Sequence, residues 1–303
     1  MRYLDAAAVL ALGPAAAVRA VGDALRAGLD PTLDPARSSV GLTHGQFLLM
    51  PSETASAAGV KVVTIAPGNP GRGLPRIGAA YLLFDRDTLA LRAVLDGTAL
   101  TTLRTPAVSV AGVLPVLQAR PERELRVVLV GSGPQAYGHE ATLAAVRPLA
   151  SATYLSRTPT EPGQVLLGSA EAADALAAAD VVVCATSART PLFDSAVLRE
   201  DVVALAVGSH EPDARELDAA LLGRATVVVE DVGTALREAG DVVLAIGEGA
   251  LAEADLVPMS EVTSGAFVPP RDRPLVFKTV GMSWQDLVVA EEVLARSDER
   301  RCQ

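Results

Sequence analysis

The stretch "RVVLVGSGPQAYGHE", Arg126 to Glu140, constrains this chain more than any other. A run of β-branched and aliphatic residues ends at Gly131. Gly133 follows, and then a helix-forming segment that carries Ala136. The order is strand, glycine turn, helix. In such a turn the first small residue permits the bend, the second lets backbone approach a pyrophosphate, and the third lets helix and strand pack closely. Gly131, Gly133 and Ala136 meet those needs, because the third position tolerates alanine. Unpaired N–H groups where the helix begins, near Pro134, then point at the phosphates. Ser132 and Gln135 belong to the same turn. The match carries weight only inside a βαβ pattern.

That pattern is present. From about Arg120 onward, "RVVLVG", "ATYLS", "VVVCAT", "VVALAVG", "ATVVVED" and "RPLVFKTVG" alternate with alanine-rich helical runs. Uninterrupted β-branched strands suit a parallel sheet buried on both faces. The expected fold class is therefore α/β, with a Rossmann doubly wound parallel sheet over 120–281. Residues 1–119 read differently. A short helix, a break at Gly13-Pro14 and an amphipathic helix over 14–29 come first. "FLLMP", "VKVVTIAP", "AAYLLFD" and "RDTLALRAVLDG" are short strands around the Gly- and Pro-rich loop "GNPGRGLPRIG". "TALTTLRTPAVSVAGVLPVL" turns helical, with Pro106 marking a helix start. "MSWQDLVVAEEVLARS" is a closing helix with Ser283 as its N-cap.

The end of the second strand bears on which dinucleotide is held. An acid there would accept from a ribose 2′-hydroxyl; this chain has "YLSRTPT". Ser156, Arg157 and Thr158 suit a 2′-phosphate, so NADP(H) is favoured over NAD(H). The alternative is that Arg157 stacks on adenine or faces solvent. Thr186 and Ser187, after "VVVCA", and Val207, after "VVALA", stand at the carboxyl ends of strands, where such sheets place ligands. Thr186 and Ser187 would lie near the nicotinamide, or else only end their strand.

A formal charge of -10 argues against general nucleic-acid binding. No uncharged run reaches the ~18 residues of a membrane span. Cys184 and Cys302 cannot form a disulfide framework, and a cytoplasmic setting fits them. Cys302 lies at an end expected to fray. Without a Cys/His cluster or spaced carboxylates, nothing points to a metal. Lysine and arginine total 26, yet only Lys61 and Lys278 are lysine. Where arginine is used almost everywhere, a lysine marks a position that needs an ammonium, or is there by chance.

Several segments resemble one family, the ornithine cyclodeaminase/mu-crystallin proteins. They are "PARSSV", "VKVVTIAPGNPGRGLP", "LDGTALTTLRTPAVS", "LVGSGPQA", "AVGSHEPDARELD" and "VFKTVGMSWQDLVVAEEV". The resemblance spans roughly residues 35 to 293. It implies an α+β substrate and dimerisation domain, 1–119 completed by 282–303, beside the Rossmann domain, and a homodimer. It implies a small amino or imino acid as partner, its carboxylate held by Arg37, Lys61 and Arg104. Three cations on one anion would lower the pKa of Lys61 and let it carry a proton. The family also has a lysine at Lys278, with a structural, cofactor-contact or catalytic role. In true cyclodeaminases an aspartate stands where this chain has His210. An imidazole stabilises a cationic amine less well but exchanges protons near neutral pH. Glu211 and Asp213 follow at once and could substitute. His139 and His44 read as structural. The expected activity is NAD(P)H-dependent reduction of an α-imino acid, such as a cyclic ketimine, or reversible oxidation of an α-amino acid. Lys61 or His210 would handle the proton. An ornithine cyclodeaminase-type ammonia-lyase using catalytic NAD and a non-enzymatic NADP-binding protein are the alternatives.

Overall fold

The computed structural model describes residues 1–121 and 124–302, with only the helical backbone of Arg301 and Cys302. Gln303 and the Cys302 side chain thus lie outside the described residues. The chain divides into two compact units, Met1–Thr105 with Met282–Gln303, and Pro106–Gly281. The division falls at residue 105, not near 120, because it lies inside one continuous helix, Gly97–Ala119. Pro106 does not start that helix; it sits within it, as does Pro115. The helix starts at Gly97, where the Asp96 carboxylate accepts the Ala99 N–H at 2.8 Å. Pro106 costs one N–H bond to the preceding turn, but the residues around it are buried and packing holds the helix. By length and composition it could cross a membrane; 67% of that window is buried inside the protein.

The first unit is built on six strands: β1 (Arg2–Leu4), β2 (Ser38–Leu42), β3 (Gly45–Glu53), β4 (Ala57–Ile65), β5 (Ile77–Asp85) and β6 (Leu91–Asp96). Their order is β1-β6-β5-β4-β3-β2, antiparallel except for β1 beside β6. Side chains alternate between faces. Met50, Ala57, Tyr81, Leu83, Ala93 and Leu95 are buried on the inner one. The helix Ser283–Cys302 covers that face, packing on β3, β4 and β5 and against the helix Pro14–Arg26. Trp284, Leu287, Val289 and Val293 are among its buried residues. Each fully buried aliphatic side chain contributes roughly 1.5–3 kcal/mol.

The second unit holds eight strands, all paired in parallel: β7 (Leu125–Val130), β8 (Leu149–Ser156), β9 (Gln164–Leu166), β10 (Val181–Cys184), β11 (Val203–Ala206), β12 (Thr226–Val229), β13 (Leu256–Pro258) and β14 (Leu275–Lys278). The order is β13-β12-β14-β11-β10-β7-β8-β9. Every residue of β10, β11, β12 and β14 is buried, which accounts for their unbroken Val, Ala and Leu composition. The edge strands β9 and β13, three residues each, are too short to leave a pattern. From β7 the chain continues to β8 on one side, while β10 flanks β7 on the other. The sheet therefore has its switch point at β7/β10, and ligands of such sheets bind at the carboxyl ends there.

Candidate active site

At that switch point lies a cavity of about 300 Å³, at the lower end of the range typical of ligand sites. Gly131, Ser132 and Gly133 line it after β7, Ser156, Arg157 and Thr158 after β8, and Thr186 and Ser187 after β10. Gly131 has φ +122°, and a Cβ there would lie 2.6 Å from the Ala185 carbonyl oxygen. Only glycine fits. Gly133 is extended and caps the helix Pro134–Val146, and a Cβ on it would meet nothing within 4 Å. Its free side is open to an incoming phosphate, at the positive end of a 13-residue helix. Ala136 is fully buried between helix and strand. The turn thus has both the strain and the clearance that a pyrophosphate requires. Ser156 Oγ accepts the Thr158 N–H at 3.2 Å, which folds the loop and leaves Arg157 exposed at the cavity.

Four residues expected at the cofactor do not line this cavity. Ala136 acts by packing. The Gln135 carbonyl oxygen meets His139 Nδ1 at 2.7 Å, and Val207 continues the ladder through its N–H to the Cys184 carbonyl at 2.9 Å. Lys278 is buried: its Nζ lies 2.9 Å from Asp241 Oδ2 and donates to the Ser209 carbonyl at 2.6 Å. Asp241 Oδ1 in turn accepts the N–H groups of Glu216 and Leu217 at 2.8 and 2.9 Å. Glu216, fully buried, accepts Thr186 N–H, Thr186 Oγ1–H and Gly208 N–H, each at 2.7 Å. Burial raises its pKa, and the Lys278 charge and the Thr186 hydroxyl pull it back. Lys278, Asp241 and Glu216 therefore clamp the loops after β10 and β11. Glu216 and Asp241 escape a reading of the sequence, since an acid in "RELD" or in "EAGDVV" looks like a solvated charge.

His210 is exposed on the loop after β11. Glu211 and Asp213 do not stand ready for an amine. Arg189 pairs with both, at 2.5 and 2.6 Å. His139 is a core residue, Nε2 3.0 Å from Ser109 Oγ, and burial lowers its pKa to about 4. His44 sits exposed in the β2–β3 turn.

In the first unit, β4 carries Lys61 inward. It is 2% exposed, and its Nζ donates to Asp286 Oδ2 at 2.7 Å. Arg104, 6% exposed, places Nε 3.4 Å from Asp286 Oδ1 and donates through Nη1 to Gln285 Oε1 at 2.8 Å. Burial lowers the Lys61 pKa to about 8, and the charges of Arg104 and Arg37 act in the same direction. Asp286 raises it, but not enough to restore the ordinary value. Arg37, Lys61 and Arg104 are thus one electrostatic cluster, with Lys61 and Arg104 both paired to the fully buried Asp286 carboxylate. Cations gathered at one place suit an anion, and Lys61 titrates where it can both hold and release a proton. Asp286 and Gln285 were legible only as first-turn polar residues of the closing helix. No group of three or more His, Cys, Asp or Glu fit to hold a metal occurs among the described residues.

Residues 33–300 match the model of the ornithine cyclodeaminase/mu-crystallin family. The chain is 33% identical over 303 residues to the Delta(1)-pyrroline-2-carboxylate/Delta(1)-piperideine-2-carboxylate reductase of Azospirillum brasilense, covering 93% of this chain and 91% of that protein. It is 33% identical over 282 residues to Delta(1)-pyrroline-2-carboxylate reductase 2 of Burkholderia ambifaria, covering 89% and 86%. The structure of the Thermococcus litoralis Delta(1)-pyrroline-2-carboxylate reductase in complex with NADH and L-proline superposes with a TM-score of 0.85 at 26% identity, over 99% of this chain and 98% of that one.

Proposed function

This chain belongs to the ornithine cyclodeaminase/mu-crystallin family, and from that premise we propose that it is a nicotinamide-dependent oxidoreductase that reduces the C=N bond of a cyclic α-imino acid. Delta(1)-pyrroline-2-carboxylate and Delta(1)-piperideine-2-carboxylate, the compounds for which its relatives are named, are the substrates that this reading selects. The observation that carries it is the cation cluster around Lys61, in a chain that also keeps the glycine turn. A non-enzymatic dinucleotide holder needs no carboxylate trap.

Arg37, Lys61 and Arg104 bind the substrate carboxylate, each charge-assisted bond contributing ~1.5–3 kcal/mol. The turn Gly131–Gly133 and the Ser156–Thr158 loop hold the dinucleotide. A nicotinamide held there would supply the hydride for the carbon beside the carboxylate, or accept it in the reverse direction. Lys61 gives the imine nitrogen its proton; at a pKa of about 8 it is mostly charged at neutral pH and releases a proton readily. His210, exposed at its loop, is the other proton carrier this reading allows. Arg157 favours NADP(H), because a guanidinium beside two hydroxyl side chains complements a 2′-phosphate. The working unit is a homodimer in this reading; an archaeal alanine dehydrogenase of similar structure, at 25% identity and a TM-score of 0.83, is a dimer with bound NAD.

The test supplies Delta(1)-pyrroline-2-carboxylate with NADPH or NADH, and separately ornithine with NAD. Oxidation of NADPH with formation of the cyclic amino acid is the expected result. Ammonia released from ornithine without net nicotinamide change would select the lyase instead, and silence in both would refute the proposal.

A further inference from the structure

Lys61 is not the only polar group on the inner face of its sheet. It pairs in register with Tyr81 on β5 and Met50 on β3, and Gly59, two residues earlier on β4, pairs with Ser52. Directly opposed residues, and residues two apart on a strand, share a face. Ser52, Lys61 and Tyr81 therefore interrupt a surface otherwise made of Met50, Ala57, Leu83, Ala93 and Leu95. Tyr81 is fully buried, and its ring end occupies the slot that Gly59 leaves: a Cβ there would lie 2.1 Å from the phenol oxygen. Yet the hydroxyl has no hydrogen-bond partner among the described residues. Burying it unpaired costs ~1–3 kcal/mol, which a phenylalanine in the same slot would avoid. Packing alone does not account for it.

The charges around the hydroxyl are carboxylates. Burial, then the charges of Asp286, Glu291 and Asp34, push its pKa well up. Asp286 is the partner of Lys61 at 2.7 Å. Asp34 and Glu291 are half-buried and reach the surface. Asp34 accepts the Trp284 N–H at 3.0 Å; Glu291 accepts the hydroxyls of Thr54 and Ser56 at 3.0 and 2.6 Å.

We propose that the Tyr81 hydroxyl and the Asp286 carboxylate, bridged by water, form a buried proton path between Lys61 and the half-buried carboxylates Asp34 and Glu291. The path rests on the reading in which Lys61 gives the proton of C=N reduction. Each turnover adds one hydride to carbon and one proton to nitrogen. The Lys61 ammonium loses that proton and is left a neutral amine. The Asp286 carboxylate receives a proton through Tyr81, whose O–H bond breaks on one side as a new one forms on the other, and passes it on to the Lys61 amine, which leaves Asp286 ionised again. Asp34 and Glu291 draw the replacement from solvent. Nothing on the path is oxidised or reduced. Burial raises the Asp34 carboxyl to about 6, so it carries a proton part of the time near neutral pH. Arg104 and Arg37, the other cations that act on Lys61, present only donors and do not relay.

The two-lysine composition makes this readable in the intact protein. Labelled with ¹⁵N at lysine Nζ, it gives two ammonium signals, and Lys61→Arg assigns them. In Tyr81→Phe, Lys61 keeps a midpoint near 8, while exchange of its Nζ protons with water slows at least about tenfold. During ketimine reduction the same variant shows a larger solvent deuterium effect on kcat, partly relieved by added imidazole. Asp34→Asn, which keeps the shape, shifts both readings the same way by less. Wild-type exchange together with a wild-type isotope effect in Tyr81→Phe overturns the path. Slowed exchange in a protein that reduces no ketimine upholds the path and refutes only the reaction.

Discussion

Asp286→Asn tests the cation cluster most directly. The wild-type pair is 2.7 Å long, and its two side chains are 2% and 0% exposed. An opposite charge this close holds a lysine up by about 1–3 pK units. Without it, Lys61 faces burial, Arg104 and Arg37 unopposed, and its pKa falls from about 8 to the neutral region or below. The stability loss has a ceiling, because the lysine can discharge. At pH 7, keeping Lys61 at about 8, against 10.5 in the unfolded chain, already costs about 3 kcal/mol, and full discharge costs about 5. The substitution therefore adds about 1–2 kcal/mol through Lys61 and about 1 more through the weakened hydrogen bond. The sign follows from proton counts. The folded pKa lies below the unfolded one, so between them the unfolded chain binds more protons and stability rises with pH. In the wild type the rise runs from about 8 to 10.5; in Asp286→Asn it starts about 1–3 units lower. Urea unfolding across this range measures the first effect. The pH profile of ketimine reduction measures the second: its basic limb, near 8 in the wild type, moves down with Lys61. A variant whose limb stays near 8 would show that another group gives the proton, and the role assigned to Lys61 would fall.

Three further outcomes follow from the cofactor turn and its supports. Arg157→Ala should raise the KM for NADPH about tenfold to a hundredfold and leave that for NADH nearly unchanged, since one charge-assisted phosphate contact is lost; equal effects on both would remove the case for NADP(H). Gly131→Ala should abolish dinucleotide binding in a fluorescence titration and destabilise the protein by ~1–3 kcal/mol, because φ is +122° and the new Cβ meets the Ala185 carbonyl at 2.6 Å. Lys278→Met should cost ~3–5 kcal/mol in denaturant unfolding by leaving Asp241 buried without its counter-ion; a fully stable variant with only a raised cofactor KM would return Lys278 to the cofactor.

The second unit was the more legible of the two, for a physical reason. A parallel strand buried on both faces must be apolar throughout, so β7, β10, β11, β12 and β14 announce themselves, and the turn after β7 has a spacing that sterics dictate. Pattern gave less help where packing overrides propensity. Pro106 looked like a helix start, but the surrounding turns of Gly97–Ala119 are buried well enough to carry a proline. Lys278 looked like a cofactor contact by analogy; its strand ends beneath the Ser209 loop, and the ammonium is consumed there.

The cation cluster was half legible, and its missing half explains the rest. Lys61 shares an inward-facing register with Ala57 and Gly59, but Val60 and Val62 beside it would put it on the outer face by hydrophobic alternation, so the scarcity of lysine and the resemblance singled it out and its burial did not show. No local rule says which acid supplies its counter-ion. Asp286 lies 225 residues away, in a helix where an acid near the N-terminus already has a sufficient local explanation in the helix dipole. An acid that favours its helix end and also neutralises a distant lysine satisfies two constraints at once, and only the tertiary fold reveals the second. The same holds for Glu216 and Asp241, which look solvated in sequence and prove to be buried acceptors of backbone N–H groups. In this protein the carboxylates hold the cations and the loops in place. Substitution of Asp286 or Glu216 should therefore disturb function by moving the groups they hold, and the conservative amide variants should retain more activity than alanine does.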